Sequence, residues 1–217
     1  MNAGNVVCVN AKVVGVAPAR VLRWLEGFVE RHGVASYDFG PDAVVATAVD
    51  GAVARVVIPF PPLRGETLTD LAEHVRRERR TAVLLVRRGG YGVGVFDGTE
   101  LVASKVGSRH VQGTTKAGGW SQQRYARRRE NQAREAFGAA ADAAERVLVP
   151  YRDGLVALFC GGDRRAVETV LADPRLSGLA DLERDPFLAV PDPRQRVLEQ
   201  AGADALAVRI ELWENPA

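Results

Sequence analysis

The order of elements from residue 81 onward constrains the fold of this 217-residue chain more than any other feature. Three strand-like runs follow one another over residues 81–106, separated by glycine-containing turns at 89–90 and 97–98. A long helix, an apolar strand, a second helix and a last strand come next. Since hairpins join antiparallel strands and helical crossovers join parallel ones, this order predicts an α/β (α+β) fold on a mixed sheet. An RNase H-like arrangement fits the order better than a flavodoxin-like one.

Hydrophobic periodicity places the individual elements along the chain. Residues 1–80 form a small N-terminal strand–helix portion, and residues 81–217 form the main domain. Whether the first 80 residues are a separate domain or a part of the same one stays open. Strands are predicted at Val6–Val16, Ala43–Val49, Val53–Phe60, Thr81–Arg87, Tyr91–Phe96, Leu101–Val106, Leu155–Cys160 and Ala205–Leu212, and helices at Pro18–Gly33, Thr67–Arg79, Ser121–Val149, Asp163–Leu171 and Pro193–Gln200.

Positive charge is concentrated in one segment. Residues 105–134 carry eight Lys or Arg residues and a single acid, Glu130, so their local charge is +7. The formal charge of the whole chain is only +2, so the remainder sums to −5. Charge this concentrated is typical of a surface that binds a polyanion such as RNA.

The long helix separates an apolar face from a basic one. At about 100° per residue, an arc of small and apolar residues faces the sheet, while four arginines lie on a different arc. Few acids lie close enough on the helix to neutralise those arginines, which favours phosphate binding over a merely solvated face. The apolar arc comprises Ala126, Ala133, Phe137, Ala140, Ala144 and Leu148, and the basic arc comprises Arg124, Arg127, Arg128 and Arg134.

The junction between loop and helix carries the sharper prediction. Ser121 is a good N-cap, so Gln122 and Gln123 fall in the first turn, where backbone N–H groups are free to bind an anion. The loop glycines allow its backbone to approach a ligand closely. Trp120 is either an anchor of the loop or a platform on which an RNA base stacks.

The junction Gly-Gly-Trp-Ser-Gln-Gln-Arg at 118–124, preceded by a basic Gly/Thr-rich loop and followed by an Arg-rich helix, resembles the catalytic loop of the Vms/Ankzf-type release factors. These are relatives of the central domain of eukaryotic and archaeal class I release factors. The resemblance covers residues 85–165 and is to a bacterial, actinobacterial branch, in agreement with the low lysine content. It implies an RNase H-like catalytic domain with a glutamine loop at 107–123 and hydrolysis of peptidyl-tRNA at the peptidyl-transferase centre of the large ribosomal subunit.

Class I release factors carry a Gly-Gly-Gln tripeptide, whereas Trp120 and Ser121 here separate Gly118 and Gly119 from Gln122. The Vms/Ankzf-type pattern of glycine, small residue and glutamine fits better. Carried over by position, the resemblance implies that Gln122 is catalytic, with Gln123 as the fallback. A carboxamide is a poor base but can hold a water molecule, while a backbone N–H stabilises the oxyanion.

Three functions are open. The first is hydrolysis of the peptide–tRNA ester in ribosome rescue or quality control; the second is endonucleolytic cleavage of the tRNA acceptor end; the third is non-catalytic binding to rRNA or the ribosome. The candidate catalytic residues are Gln122, Gly118, Gly119 and Ser121, and the candidate RNA-binding residues are Arg109, His110, Lys116, Trp120, Arg124, Arg127, Arg128 and Arg134.

Other signals predict little chemistry. Cys8 and Cys160 lie in apolar runs without metal-ligand spacing and are expected to be buried thiols. His32, His74 and His110 are scattered along the chain. The glycine-rich stretch at 89–94 opens no helix and is expected to be a hairpin. No cofactor, metal, membrane span or signal peptide is expected, and the protein is predicted to be a cytoplasmic monomer.

Overall fold

The computed structural model describes residues 11–87, 90–108 and 121–214, and between 121 and 134 it describes the helical backbone without the side chains. The chain forms two compact units, one of Met1–Arg77 with Leu206–Ala217 and the other of Glu78–Ala205. The elements in chain order are β1 (Lys12–Val16), α1 (Val21–His32), β2 (Ala35–Phe39), β3 (Ala43–Ala48), β4 (Val53–Val57), α2 (Leu68–Arg76), β5 (Arg80–Arg87), β6 (Gly90–Asp97), β7 (Glu100–Ser108), α3 (Ser121–Leu148), β8 (Ala157–Gly162), α4 (Arg164–Leu171), β9 (Glu183–Leu188), α5 (Gln195–Ala205) and β10 (Val208–Trp213).

The first unit is an antiparallel sheet with helices on one face. Its strand order is β1-β10-β4-β3-β2. Helices α1 and α2 bury their apolar stripes on the sheet, and Leu25, Phe28 and Leu71 are fully buried in this core. A capping box between Thr67 and Asp70 fixes the start of α2, because each residue bonds the backbone N–H of the other.

The last strand does not lie in the predicted domain. Residues 206–217 are predicted to belong to the main domain, but β10 pairs with β1 and β4 in the first unit. Its burial alternates, with Val208, Ile210 and Leu212 buried and Arg209 exposed. This alternation is typical of an antiparallel sheet with one open face, which explains why β10 belongs to that sheet.

The second unit has the predicted mixed sheet. Its strand order is β7-β6-β5-β8-β9, with β6 antiparallel to β5 and β7, and with β8 parallel to both β5 and β9. Helices α3 and α4 pack on one face with the buried side chains Leu84, Val93 and Leu158. Helix α5 packs on the other face, where Gly202 lies against the ring of Phe96. The RNase H-like mixed sheet predicted from the order of elements is confirmed, with β9 as its fifth strand in place of the strand predicted at Ala205–Leu212.

Neither β2 nor β9 is among the predicted strands, and both lie at sheet edges. Residues 90–94 of the glycine-rich stretch form part of a hairpin, as predicted, since β5 pairs with β6 from Arg80↔Asp97 to Arg87↔Gly90. Residue 89 lies outside the described residues. Within the described part of the chain, no helix is both long enough and apolar enough to cross a membrane.

Candidate functional site

The predicted catalytic segment lies between an edge strand and a long helix. Strand β7 ends at Ser108 and α3 begins at Ser121. Because α3 begins at Ser121, Gln122 and Gln123 lie in its first turn, as predicted, but Ser121 is the first helical residue and not the N-cap that precedes the helix. Six predicted site residues lie outside the described residues: Arg109, His110, Lys116, Gly118, Gly119 and Trp120.

The other predicted site residues lie on α3, in the part whose side chains are outside the described residues: Ser121, Gln122, Gln123, Arg124, Arg127, Arg128 and Arg134. Their roles therefore stay predictions. The structure does describe how the rest of α3 and the end of β7 hold the two ends of this segment.

The C-terminal half of α3 is anchored in the core of the second unit. The helix has 28 residues, which corresponds to about 42 Å. Ala140, Ala144 and Leu148 are fully buried, and Phe137 packs against the same core, as the helical wheel predicts. Small side chains on this face bring the helix close to the sheet. The anchored turns thus provide a fixed base for the basic N-terminal half.

Arg175 braces this base from outside the core. Its guanidinium donates to Asp142 and Glu145 of α3, each at 2.8 Å, and to both carboxylate oxygens of Asp173. Hydrogen bonds from Arg175 lower the pKa of Asp173 to about 2. One arginine therefore ties the turn that follows α4 to two successive turns of α3.

We expect Arg175→Ala to lower the melting temperature by a few degrees at neutral pH, because it breaks all three ion pairs. Asp173 titrates near 3.8 when unfolded and about 2 when folded, so its contribution is complete above about pH 4 and is lost as the pH falls towards 2. Thermal melts of wild type and variant across this range measure the difference. The control is Arg152→Ala, whose guanidinium reaches Asp153 only at 3.9 Å. A difference that persists unchanged at about pH 2 would contradict the role of Asp173.

The loop root is the pair of strand ends from which the segment leaves the sheet: Gly90, Tyr91, Gly107 and Ser108. Gly90 pairs with Ser108 and Tyr91 with Gly107. A Cβ at Gly107 would lie 2.6 Å from the Tyr91 hydroxyl oxygen, and one at Gly90 would lie 2.5 Å from the Gly107 carbonyl oxygen. These distances are shorter than any ordinary van der Waals contact. Gly90 faces a backbone atom and therefore requires glycine, whereas a methyl group at position 107 would displace the end of the Tyr91 side chain.

A cavity of about 190 Å³ lies between the loop root and α3. Among the described side chains of the helix, the small side chains of Ala136 and Ala139 line its wall. Val86 and Arg87, at the end of β5, line it together with the loop root. The described part of the helix therefore presents only small side chains beside the point at which the segment leaves the sheet.

The neighbouring strand ends are held by polar contacts. Arg87 donates to the carbonyl of Val190 at 2.6 Å and lies 3.6 Å from the carboxylate of Asp192. The N–H of Asp163 donates to the carbonyl of Val86, and the Asp163 carboxylate caps α4. These contacts fix the edge of the sheet at which β5, β7 and β8 all end.

The remaining candidate groups are structural. Cys160 is a fully buried free thiol, as predicted, and burial raises its pKa to about 12, so the reactive thiolate does not form at neutral pH. Cys8 lies outside the described residues. His74 is buried and bonds the carbonyl of Pro59 through Nε2, while His32 bonds Asp50. Among the described side chains, no group of three His, Cys, Asp or Glu is arranged to hold a metal ion.

Neither the loop root nor Arg175 is predicted from the sequence. The available signal for the loop root is Gly90 at the start of β6 and Gly107 near the end of β7, since glycine is uncommon inside strands unless a backbone or a ring approaches closely. Nothing local to Arg175 indicates that it reaches Asp142 and Glu145, 33 and 30 residues away.

The sequence that forms the second unit matches a known protein family. Residues 79–211 match the family described as "Actinobacteria/chloroflexi VLRF1 release factor". The chain belongs to this family. The match begins with the second unit and extends into β10, so it includes the loop root and the whole predicted catalytic segment. The resemblance to release factors of the Vms/Ankzf type is thereby confirmed. No curated protein matches the chain.

Solved structures similar to this VLRF1-family protein include a translation termination factor and a part of Vms1. The crystal structure of an archaeal translation termination factor, aRF1, is 16% identical with a TM-score of 0.44, and the match covers 89% of this chain and 64% of that one. The Vms1 mitochondrial localization core is 12% identical with a TM-score of 0.43, covering 92% of this chain and 82% of that one. Since these identities and TM-scores are low, the family assignment rests on the sequence match.

Proposed function

We propose that this VLRF1-family protein is a peptidyl-tRNA hydrolase that rescues stalled ribosomes or large ribosomal subunits. It acts in the cytoplasm as a monomer and places its glutamine loop in the peptidyl-transferase centre. The observation that carries the proposal is the family membership of residues 79–211, which include the Gly-Gly-Trp-Ser-Gln-Gln junction. The +7 charge of residues 105–134 supports rRNA and peptidyl-tRNA as the binding partners.

Hydrolysis of the peptide–tRNA ester requires the protein mainly to position the reacting groups. The ester that links the peptide to the terminal ribose is already activated, and the neighbouring 2′-hydroxyl of the substrate can pass on the proton. The carboxamide of Gln122 can hold the attacking water, because its oxygen accepts a hydrogen bond and its N–H groups donate hydrogen bonds. This orients the water towards the ester carbonyl. A backbone N–H at the start of α3 stabilises the oxyanion that forms.

The arrangement around the segment supports separate roles for Gln122 in catalysis and for the arginines of α3 in binding. The anchored half of α3 and the strand end at Ser108 hold the two ends of the segment, and Gln122 lies where the segment joins α3, in the first turn of the helix. The arginines of α3 supply affinity for phosphates, away from the reacting atoms. Affinity and catalysis should therefore respond to different substitutions.

A release assay tests the proposal. Large subunits that carry labelled peptidyl-tRNA are incubated with the protein at constant Mg²⁺, with and without a chelator of transition metals. We expect peptide release that the chelator leaves unchanged, since the chemistry uses a carboxamide and no metal-bound water. Binding without release would identify a non-catalytic module. Loss of activity that Zn²⁺ or Mn²⁺ restores would instead indicate a metal-dependent site.

A further inference from the structure

We propose that Tyr91 is a positioning residue for the reaction, because its ring fixes the direction in which the glutamine loop leaves the sheet. The proposal rests on the proposed hydrolysis for its kinetic consequence. Its structural basis lies in the described part of the second unit, in the contact between Tyr91 and Gly107.

The contact is close and specific. The ring of Tyr91 lies across the backbone of Gly107, where a Cβ would lie only 2.6 Å from the tyrosine Cε1 and Oη atoms. On its other side, Tyr91 packs against the core that contains the buried half of α3. The ring therefore connects this core to the end of β7, immediately before the catalytic segment.

The open space beside the loop root makes this ring more important. Ala136 and Ala139 line the cavity of about 190 Å³, and their side chains are too small to fill it. Among the described side chains of α3, none contacts Gly107 or Ser108 across this cavity as closely as the Tyr91 ring contacts Gly107. Among the side chains that line the cavity, the Tyr91 ring is thus the one best placed to hold the strand end.

We expect a rotation at the loop root to change the position of Gln122, because residues 109–120 connect the two. Misplacement of a reacting group by about 1 Å can cost about 100-fold in rate. Most of the affinity for the ribosome should come from the arginines of α3, whose position does not depend on the direction of the loop. Removal of the ring should therefore lower the rate of release while leaving binding almost unchanged.

The variants are Tyr91→Ala, Tyr91→Phe and Gly107→Ala, assayed with saturating peptidyl-tRNA–ribosome complexes. We expect Tyr91→Ala and Gly107→Ala to lower the release rate about 10- to 100-fold, with ribosome affinity within about twofold of wild type. Tyr91→Phe should retain most of the rate, because it keeps the ring and removes only the hydroxyl.

Two matched controls separate positioning from general destabilisation. Tyr151→Ala removes the same side chain from the same core at the opposite end of the sheet, where the ring of Tyr151 lies 5.5 Å from the Arg80 guanidinium carbon. Gly138→Ala adds a methyl group on α3 where no described atom outside the neighbouring helix backbone lies within 4 Å. Both should leave the release rate at the wild-type level, even though Tyr151→Ala lowers the melting temperature.

Hydrogen exchange at the amides of Gly107 and Ser108 gives a readout that is independent of catalysis. Faster exchange in Tyr91→Ala, and not in Tyr151→Ala, supports the proposal that the Tyr91 ring holds the end of β7. This result would stand even if the wild-type protein released no peptide, which would refute only the proposed hydrolysis. Equal exchange in the two variants overturns the proposal that the ring holds the strand end. Equal loss of release in both, or a Tyr91→Phe variant as impaired as Tyr91→Ala, overturns the positioning role.

Discussion

Gln122→Ala should reduce peptide release from stalled large subunits by about 100- to 1,000-fold, the size of effect seen when a single group that stabilises the transition state is removed. Ribosome co-sedimentation should stay within about twofold of wild type, because we propose that affinity comes mainly from the basic face of α3. The substitution lies in the first turn of the helix, where alanine is well tolerated, so the fold should be unaffected.

The neighbouring glutamine provides the matched control. Gln123→Ala changes the same chemical group one residue further along the same turn, and should retain most of the activity. Release that is abolished only in Gln123→Ala would move the catalytic role by one residue. Wild-type release in both variants would refute the glutamine mechanism altogether.

Replacing Arg127 and Arg128 together with glutamate should weaken binding to ribosomes at least about tenfold. The slope of log affinity against log salt should become shallower by about 2, because each arginine that binds a phosphate contributes about 1 to it. Binding of a phosphate releases condensed counterions, which is why affinity falls as the salt concentration rises. Neither residue belongs to the predicted apolar arc, so the melting temperature should change little. Binding isotherms at several salt concentrations measure both the affinity and the slope.

Arg129→Glu is the internal control for the double variant. By the helical wheel Arg129 projects closer to the apolar side, so its substitution should affect binding less. If the double variant keeps the wild-type affinity and slope, the basic face of α3 is only a solvated surface. The ribosome-binding proposal would then lose its main physical support.

The sequence predicts the mixed sheet well because its elements have clear local patterns. Continuous apolar runs such as that of β5, and the long small-residue stripe of α3, have unambiguous periods. The two unpredicted strands, β2 and β9, are edge strands of mixed polarity. Pro186 within β9 argues against a strand by composition, yet an edge strand tolerates it, because one row of its N–H groups needs no partner.

Tertiary placement is harder to predict than element type. The position of β10 depends on pairing with strands more than 140 residues away in sequence, such as Ile210 with Val56 and Leu212 with Ala54. The alternation of Val208, Arg209 and Ile210 is nevertheless a usable signal, because a central strand of a mixed sheet is buried on both faces, as β8 is.

The features of the candidate site also differ in whether a local sequence pattern predicts them. The glutamine junction and the basic helix are local patterns and could be identified from the sequence. The ring of Tyr91 over Gly107 and the cavity beside it depend on the register of β6 and β7 and on how closely α3 approaches the sheet. No local pattern encodes these distances.

Analysis of the tRNA product tests the central claim most directly. Large subunits carrying a labelled peptidyl-tRNA are incubated with the protein, and the 3′ end of the released tRNA is mapped at nucleotide resolution. Ester hydrolysis predicts a tRNA with an intact 3′ end and a peptide free of nucleotides. A tRNA shortened at its acceptor end, with the missing nucleotides still attached to the peptide, would contradict hydrolysis and identify an endonuclease.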